Sequence, residues 1–129
     1  MASIFSKIIA GEIPCYKVGE TEHSFALLDI RPQQKGHTLV VPKKEVDKLF
    51  DLDAESYTEL FAFAHKIALS IEKEFDCNRC GMAVIGLEVP HAHIHLIPIN
   101  SLSDMTFSIG MSLEPAEFQQ IAELIGGNI

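Results

Sequence analysis

The sequence predicts an α+β fold, an antiparallel sheet of about five strands with helices packed mainly on one face. Three observations carry this expectation. Short apolar stretches at 16–20, 25–29, 38–42, 79–87 and 91–98 are separated by turn-forming residues. The segment after Asp53 instead repeats its apolar residues at helical spacing. Finally, 129 residues, 47% hydrophobic and 22% charged, suit one globular domain over residues 1–129 with a sizeable core.

Taken in order, Ser3 can cap a short helix through Ile4, Phe5, Ile8 and Ile9, stopped by Gly11 and Pro14. Tyr16–Glu20 and Phe25–Asp29 read as strands paired across a polar turn, and Thr38–Pro42 as the next strand, with His37 at its start. Asp53 can cap the longest helix, which reaches about Phe75 and carries Leu60, Ala64, Ile67 and Ile71 on its apolar face. Arg79–Leu87 reads as a strand rich in apolar residues and closed by Gly86. Residues 100–112 suggest a loop with a short extended piece. Pro115 then suits the first turn of a last helix with Phe118, Ile121, Ala122 and Ile125, ended by Gly126 and Gly127.

Charge and composition narrow the functional classes. A formal net charge of −8 disfavours nucleic-acid binding, which needs clustered Lys and Arg. No apolar run approaches the roughly 20 residues needed to span a bilayer, and the N-terminus lacks the order of a signal peptide, so a cytoplasmic protein is expected. Three cysteines make no disulfide framework; Cys77 and Cys80 form C-x-x-C, but without an evident helix N-terminus or further metal ligands. His65 and His23 have no partner motif.

The chemistry concentrates in His91-Ala92-His93-Ile94-His95. Period-two alternation reads as a strand with three imidazoles on one face and Ala92, Ile94 and Leu96 on the other. Such a row could be an ordinary polar face, a metal site or a nucleophilic centre. On a straight strand His91 and His95 lie roughly 13 Å apart, so one ion could take an adjacent pair but not easily all three. The nucleophilic reading needs a neutral imidazole positioned by its neighbours.

The pattern resembles the histidine triad family of nucleotide hydrolases and transferases. The likeness extends from about Ser3 to Pro98 through Ile4-Phe5-Ser6-Lys7-Ile8-Ile9-Ala10-Gly11-Glu12-Ile13-Pro14, Leu28-Asp29-Ile30-Arg31-Pro32 and Lys35-Gly36-His37-Thr38-Leu39-Val40-Val41-Pro42-Lys43-Lys44, leaving 99–129 as a C-terminal extension. It implies a homodimer with adjoining sheets, a purine nucleotide or nucleotide conjugate as ligand, and no cofactor. His93 would be the nucleophile, attacking an α-phosphorus of a nucleoside phosphoramidate or mixed polyphosphate to form a nucleotidyl-histidine. His91 would support its geometry, and His95 and His37 would contact phosphate or leaving group. Ile4, Phe5, Ile8, Leu27 and Ile30 would flank the base. Asp29 would accept the ribose hydroxyls, as a carboxylate can, and backbone N–H groups near Glu88 would stabilise charge.

Two departures bear on that implication. Many relatives carry zinc-binding cysteines as Cys-x-x-Cys-Lys around the first helix and a histidine after the paired lysines; here Ser3, Ser6 and Glu45 occupy those places, so no metal is expected. The family's Gly-Gln-Ser/Thr-Val-x-His becomes Gly86-Leu87-Glu88-Val89-Pro90-His91, and a common asparagine falls at Cys80. These changes keep open a rival reading, a nucleotide-binding module with little catalysis.

Overall fold

The computed structural model describes residues 2–129. Among them five strands, β1 (Lys17–Glu20), β2 (Ser24–Leu28), β3 (Thr38–Pro42), β4 (Arg79–Ala83) and β5 (Ile94–Ile99), form one sheet in the order β1-β2-β3-β5-β4. Every neighbouring pair is antiparallel. Helices α1 (Ile4–Ile9), α2 (Ala54–Glu74) and α3 (Pro115–Gly126) complete the α+β architecture.

The strand alternation sorts the core onto two faces. Ala26, Leu28, Val40, Ile94 and Leu96 face α2 and α3, which supply Leu60, Phe63, Ala64, Ile67, Ile71, Phe118, Ile121 and Ile125. Fully burying one such aliphatic side chain contributes about 1.5–3 kcal/mol, so this is the principal core. Phe25, Leu27, Leu39 and Val41 face the other way, against Phe5, Ile8 and Ile9 of α1. The two long helices thus share one face, and the short first helix covers part of the second. The expected caps are present: Asp53 accepts from the Ser56 N–H at 3.1 Å, and Pro115 opens α3. The Ser70 hydroxyl donates to the Ile125 carbonyl at 2.6 Å, tying α2 to α3.

Several boundaries differ from expectation. The strand carrying the histidines begins at Ile94, not His91, because the preceding amides are used elsewhere: the His91 N–H donates to the Val89 carbonyl and the Ala92 N–H to the Val46 carbonyl. Strand β4 ends at Ala83, paired with His95; in the same register Ile85 would fall opposite His93, which precedes β5. Strand β1 begins at Lys17, and β2 runs Ser24–Leu28, leaving Asp29 one residue beyond its end. Short 3-10 turns at Leu49–Asp51 and Leu102–Met105 were not foreseen, and no strand lies within 100–112.

That last segment folds back on the loop between β2 and β3. The Met111 N–H donates to the Pro32 carbonyl at 2.8 Å, and the Gln33 side-chain amide to the Ser108 carbonyl at 2.9 Å. Gly110 permits the approach, since a Cβ there would lie 2.1 Å from the Arg31 carbonyl oxygen. Gly36, at φ 98°, makes the turn that delivers His37 to the start of β3.

Candidate active site

The sheet edges and loops enclose a cavity of about 320 Å³ on the α1 side of the sheet. Its wall takes Asp29 from the end of β2, His37 from the start of β3, and His93 and His95 from β5 and its approach. Residues 85–88 and Phe107 close it.

Hydrogen bonding fixes where each imidazole carries its proton. His93 Nδ1 lies 2.8 Å from the His91 carbonyl oxygen, which can only accept, so Nδ1–H donates and Nε2 keeps its lone pair. His37 Nδ1 accepts the Gln33 N–H at 3.0 Å, so its Nε2–H donates to His95 Nδ1, also at 3.0 Å. His95 therefore carries its proton on Nε2. The cavity wall thus combines a bare ring nitrogen on His93 with a neutral N–H donor on His95.

Burial supports this neutral assignment for the pair. It pushes His37 down to about 4, with the nearby Asp29 carboxylate opposing. Burial, with His37 and His93 adding to it, holds His95 down at about 3. Asp29 Oδ2 stands 3.6 Å from His37 Nε2, while Oδ1 accepts the Arg31 N–H at 2.8 Å. Asp29, His37 and His95 could each offer one atom to an ion within a 4.8 Å span. The Gln33 N–H opposes that use, because a ligating His37 Nε2 would move a proton onto the nitrogen that Gln33 already faces.

His91 is fully buried outside the cavity wall. Its Nε2–H donates to the Pro42 carbonyl at 2.7 Å, and its Nδ1 accepts the Ser3 hydroxyl at 2.7 Å. Phe5 lies edge-on to both His91 and His93, with centroids 5.7 and 5.1 Å away. Leu27 is buried in the same apolar cluster, with Ile8 packed against it. Ile4 and Ile30 are exposed, and none of these five belongs to the cavity wall. Glu88 and Leu87 do belong to it, both exposed at its rim.

Sequence reasoning missed Phe107, Arg31 and Gln33 in the wall. The Phe107 ring stands edge-on to His95 at 4.8 Å, and its backbone adopts φ 54°, the one positive φ at a non-glycine residue among the described residues. An aromatic residue within a polar loop gives no signal that it will return to a site made by strands. Cys77 and Cys80 are both free, and burial and acidic neighbours raise their thiols, Cys80 to about 12, the opposite of a reactive pair.

Fold and site together define an α+β protein with a clustered-imidazole centre. The HIT domain model matches residues 10–102, and the chain belongs to that family. The adenosine 5'-monophosphoramidase hnt1 of Schizosaccharomyces pombe is 33% identical over 100% of this chain and 99% of that protein. A HIT-like protein of Bartonella henselae described as involved in cell-cycle regulation superposes with a TM-score of 0.86 at 30% identity, covering 98% and 96% of the two chains. A zinc-bound histidine triad family protein of Mycobacterium smegmatis gives 0.81 at 25% identity, covering 99% and 93%.

The zinc of that last relative raises the question of a metal here. Ser3, Ser6, Glu45 and His91 do converge, but as a hydrogen-bonded cluster: Glu45 Oε1 accepts from the Ser3 N–H at 2.7 Å and the Ser6 hydroxyl at 2.6 Å. Two hydroxyls and one carboxylate form a poor zinc set, and the free lone pair of His91 is already engaged by Ser3. The residues do not fit the metal. Elemental analysis of protein purified without chelators is expected to find far less than one zinc per chain; stoichiometric zinc would overturn this.

Proposed function

We propose that the protein is a hydrolase acting on the α-phosphate of nucleoside phosphoramidates or mixed polyphosphates, with His93 as nucleophile. The observation that carries this is the His93 proton: donated from Nδ1 to the His91 carbonyl, it leaves Nε2 bare in the cavity wall. Nε2 attacks phosphorus, the bond to the leaving amine or phosphate breaks, and a nucleotidyl-histidine forms. Water then attacks that phosphorus, releasing the nucleoside monophosphate and restoring His93; an amine leaving group departs with a proton from solvent. Two displacements replace one, the general advantage of covalent catalysis.

The other residues support this scheme. The His95 Nε2–H donates to a phosphate oxygen, and His37, with both ring nitrogens engaged, holds His95 in that tautomer. Asp29 offers its carboxylate to ribose hydroxyls from the cavity wall, and the base extends past that wall toward Phe5, beside His93, with Ile4, Ile8, Leu27 and Ile30. A purine nucleotide matches the substrate named for the yeast relative. The reading includes a homodimer, supported by the edge strand β4 with exposed Met82 and by Tyr57 and Leu69 exposed on α2. Sedimentation at micromolar concentration tests it, and a monomer there removes it. No helix is long and apolar enough to cross a membrane among the described residues, consistent with the proposed cytoplasmic location.

The rival, a nucleotide-binding module with little turnover, is favoured by Leu87 and Glu88 standing in the cavity wall. Release of AMP from an adenosine phosphoramidate, set against AMP binding alone, decides between them: multiple turnovers support the enzyme, and saturable AMP binding without turnover supports the module. Glu88 also gives a directional expectation. Two unit charges about 4 Å apart repel by about 1 kcal/mol in bulk water, the regime of an exposed rim. Glu88→Ser is therefore expected to raise kcat/KM a few-fold for an anionic substrate. A slower serine variant would make the carboxylate a working part of the site.

A further inference from the structure

The cluster where the residues fail to fit zinc has its own logic. The Ser3 hydroxyl, in a residue 93% buried, has one proton, and His91 Nδ1 at 2.7 Å takes it in preference to the Ser6 hydroxyl oxygen at 3.4 Å. The same oxygen accepts the Ser6 N–H at 3.0 Å, which caps α1. The Ser3 N–H is in turn held by Glu45, whose carboxylate these Ser3 and Ser6 contacts keep ionised, down at about 2. The acceptor-only Pro42 carbonyl sets the His91 tautomer, and the Ser3 hydroxyl fills the lone pair left at Nδ1. The His91 Nε2–H must meet the Pro42 carbonyl on β3, and the His91 carbonyl is presented to His93 Nδ1. These bonds link the Glu45 anchor to His93: Ser3 donates to both Glu45 and His91, and His93 donates to the His91 carbonyl.

We propose that Ser3, anchored by Glu45, is a positioning residue for the nucleophile: a metal-free clamp that holds the His91 ring by its Nδ1 lone pair and, through the His91 backbone, the orientation of His93. The clamp rests on His93 being the reacting group, but its first link can be read without any turnover. Removing the hydroxyl leaves His91 Nδ1 buried without a donor, and the ring gains a reason to rotate toward another one. The displaced His91 then moves the carbonyl that aims His93.

The test separates this role from capping. Ser3→Gly keeps the N–H that meets Glu45 and retains most of the N-cap preference, losing only the hydroxyl. Ser3→Thr keeps the hydroxyl. Histidine-ring ¹⁵N spectra of the full chain read which nitrogen of His91 and His93 is protonated and whether the bare His91 Nδ1 accepts a hydrogen bond, and kinetics with an adenosine phosphoramidate read kcat and KM separately. In wild type and Ser3→Thr, His91 is expected to be protonated on Nε2 and His93 on Nδ1. In Ser3→Gly the His91 Nδ1 signal moves to that of a lone pair without a donor, while Ser3→Thr keeps it in place. Its kcat should fall by about tenfold with KM little changed, the scale of losing a group that orients a working histidine. An unmoved His91 Nδ1 signal in Ser3→Gly overturns the proposal, as does a moved signal with unchanged kcat. Should wild type show no turnover, the hydrolase reading fails while the ¹⁵N result still decides whether Ser3 holds His91.

Discussion

His93→Ala is expected to reduce release of AMP from an adenosine phosphoramidate by at least about 10³-fold, the order seen when a covalent nucleophile is removed. The size of the effect follows from the site: no other imidazole in the cavity wall has a bare nitrogen. His95 gives its Nδ1 lone pair to His37, His37 gives its own to Gln33, and His91 lies outside the wall. None can substitute without breaking a hydrogen bond that holds it. The fold should survive, because His93 touches the α1 side through Phe5 while the principal core lies on the opposite face of the sheet. Circular dichroism should be unchanged and AMP binding should stay within a few-fold of wild type. A variant retaining a tenth of wild-type turnover would remove His93 from the role of nucleophile.

The second large effect concerns acid. Burial holds His37 at about 4 and His95 at about 3, below the ordinary 6.5. Depressed histidine values mean that the unfolded chain binds protons before the folded one does. Their stabilising effect is therefore complete above about pH 6.5 and is lost as pH falls toward the folded values. For His37 alone the loss between pH 7.5 and 4.5 is about 2–3 kcal/mol. His95 adds less than its own shift suggests, because each ring lies in the other's field. The carboxylates of Glu20, Glu45 and Asp53, all held near 2, start from 4.5 or below and lose their contribution only in stronger acid. The window from pH 7.5 to 4.5 thus belongs to the histidines. Urea unfolding should show a markedly lower midpoint at pH 4.5, and His37→Gln should shrink the difference. Equal wild-type midpoints at the two pH values would contradict the assignment.

The pattern of residues made much of this legible. Asp53 and the 60/64/67/71 spacing located α2, and alternation located the strands, because both signals are local and repeat along the chain. The histidine strand was legible in its faces but not in its start: whether His91 and Ala92 join the ladder depends on Val89 and, from far along the chain, Val46. Ser3 was read as a cap, which it is, but its bond to His91 spans 88 positions and no spacing rule encodes it. Likewise Phe107 reaches the site only because Gly110, Met111 and Ser108 pin their segment to residues 31–33. Local periodicity names the reacting residues; long-range hydrogen bonds decide how they are held.

Ser3 and Ser6 precede the span matched by the family model, residues 10–102, and Phe107 follows it. The reacting rings therefore sit in the shared framework, while one prop beneath them and one wall above them are contributed by its two flanks. Such an arrangement is open to retuning from outside. A library varied only at residues 2–9 and 103–112 samples ring alignment and cavity shape while leaving His37, His93 and His95 untouched. Divergence by this route changes which molecules fit, or how fast they react, before it ever places the chemistry at risk.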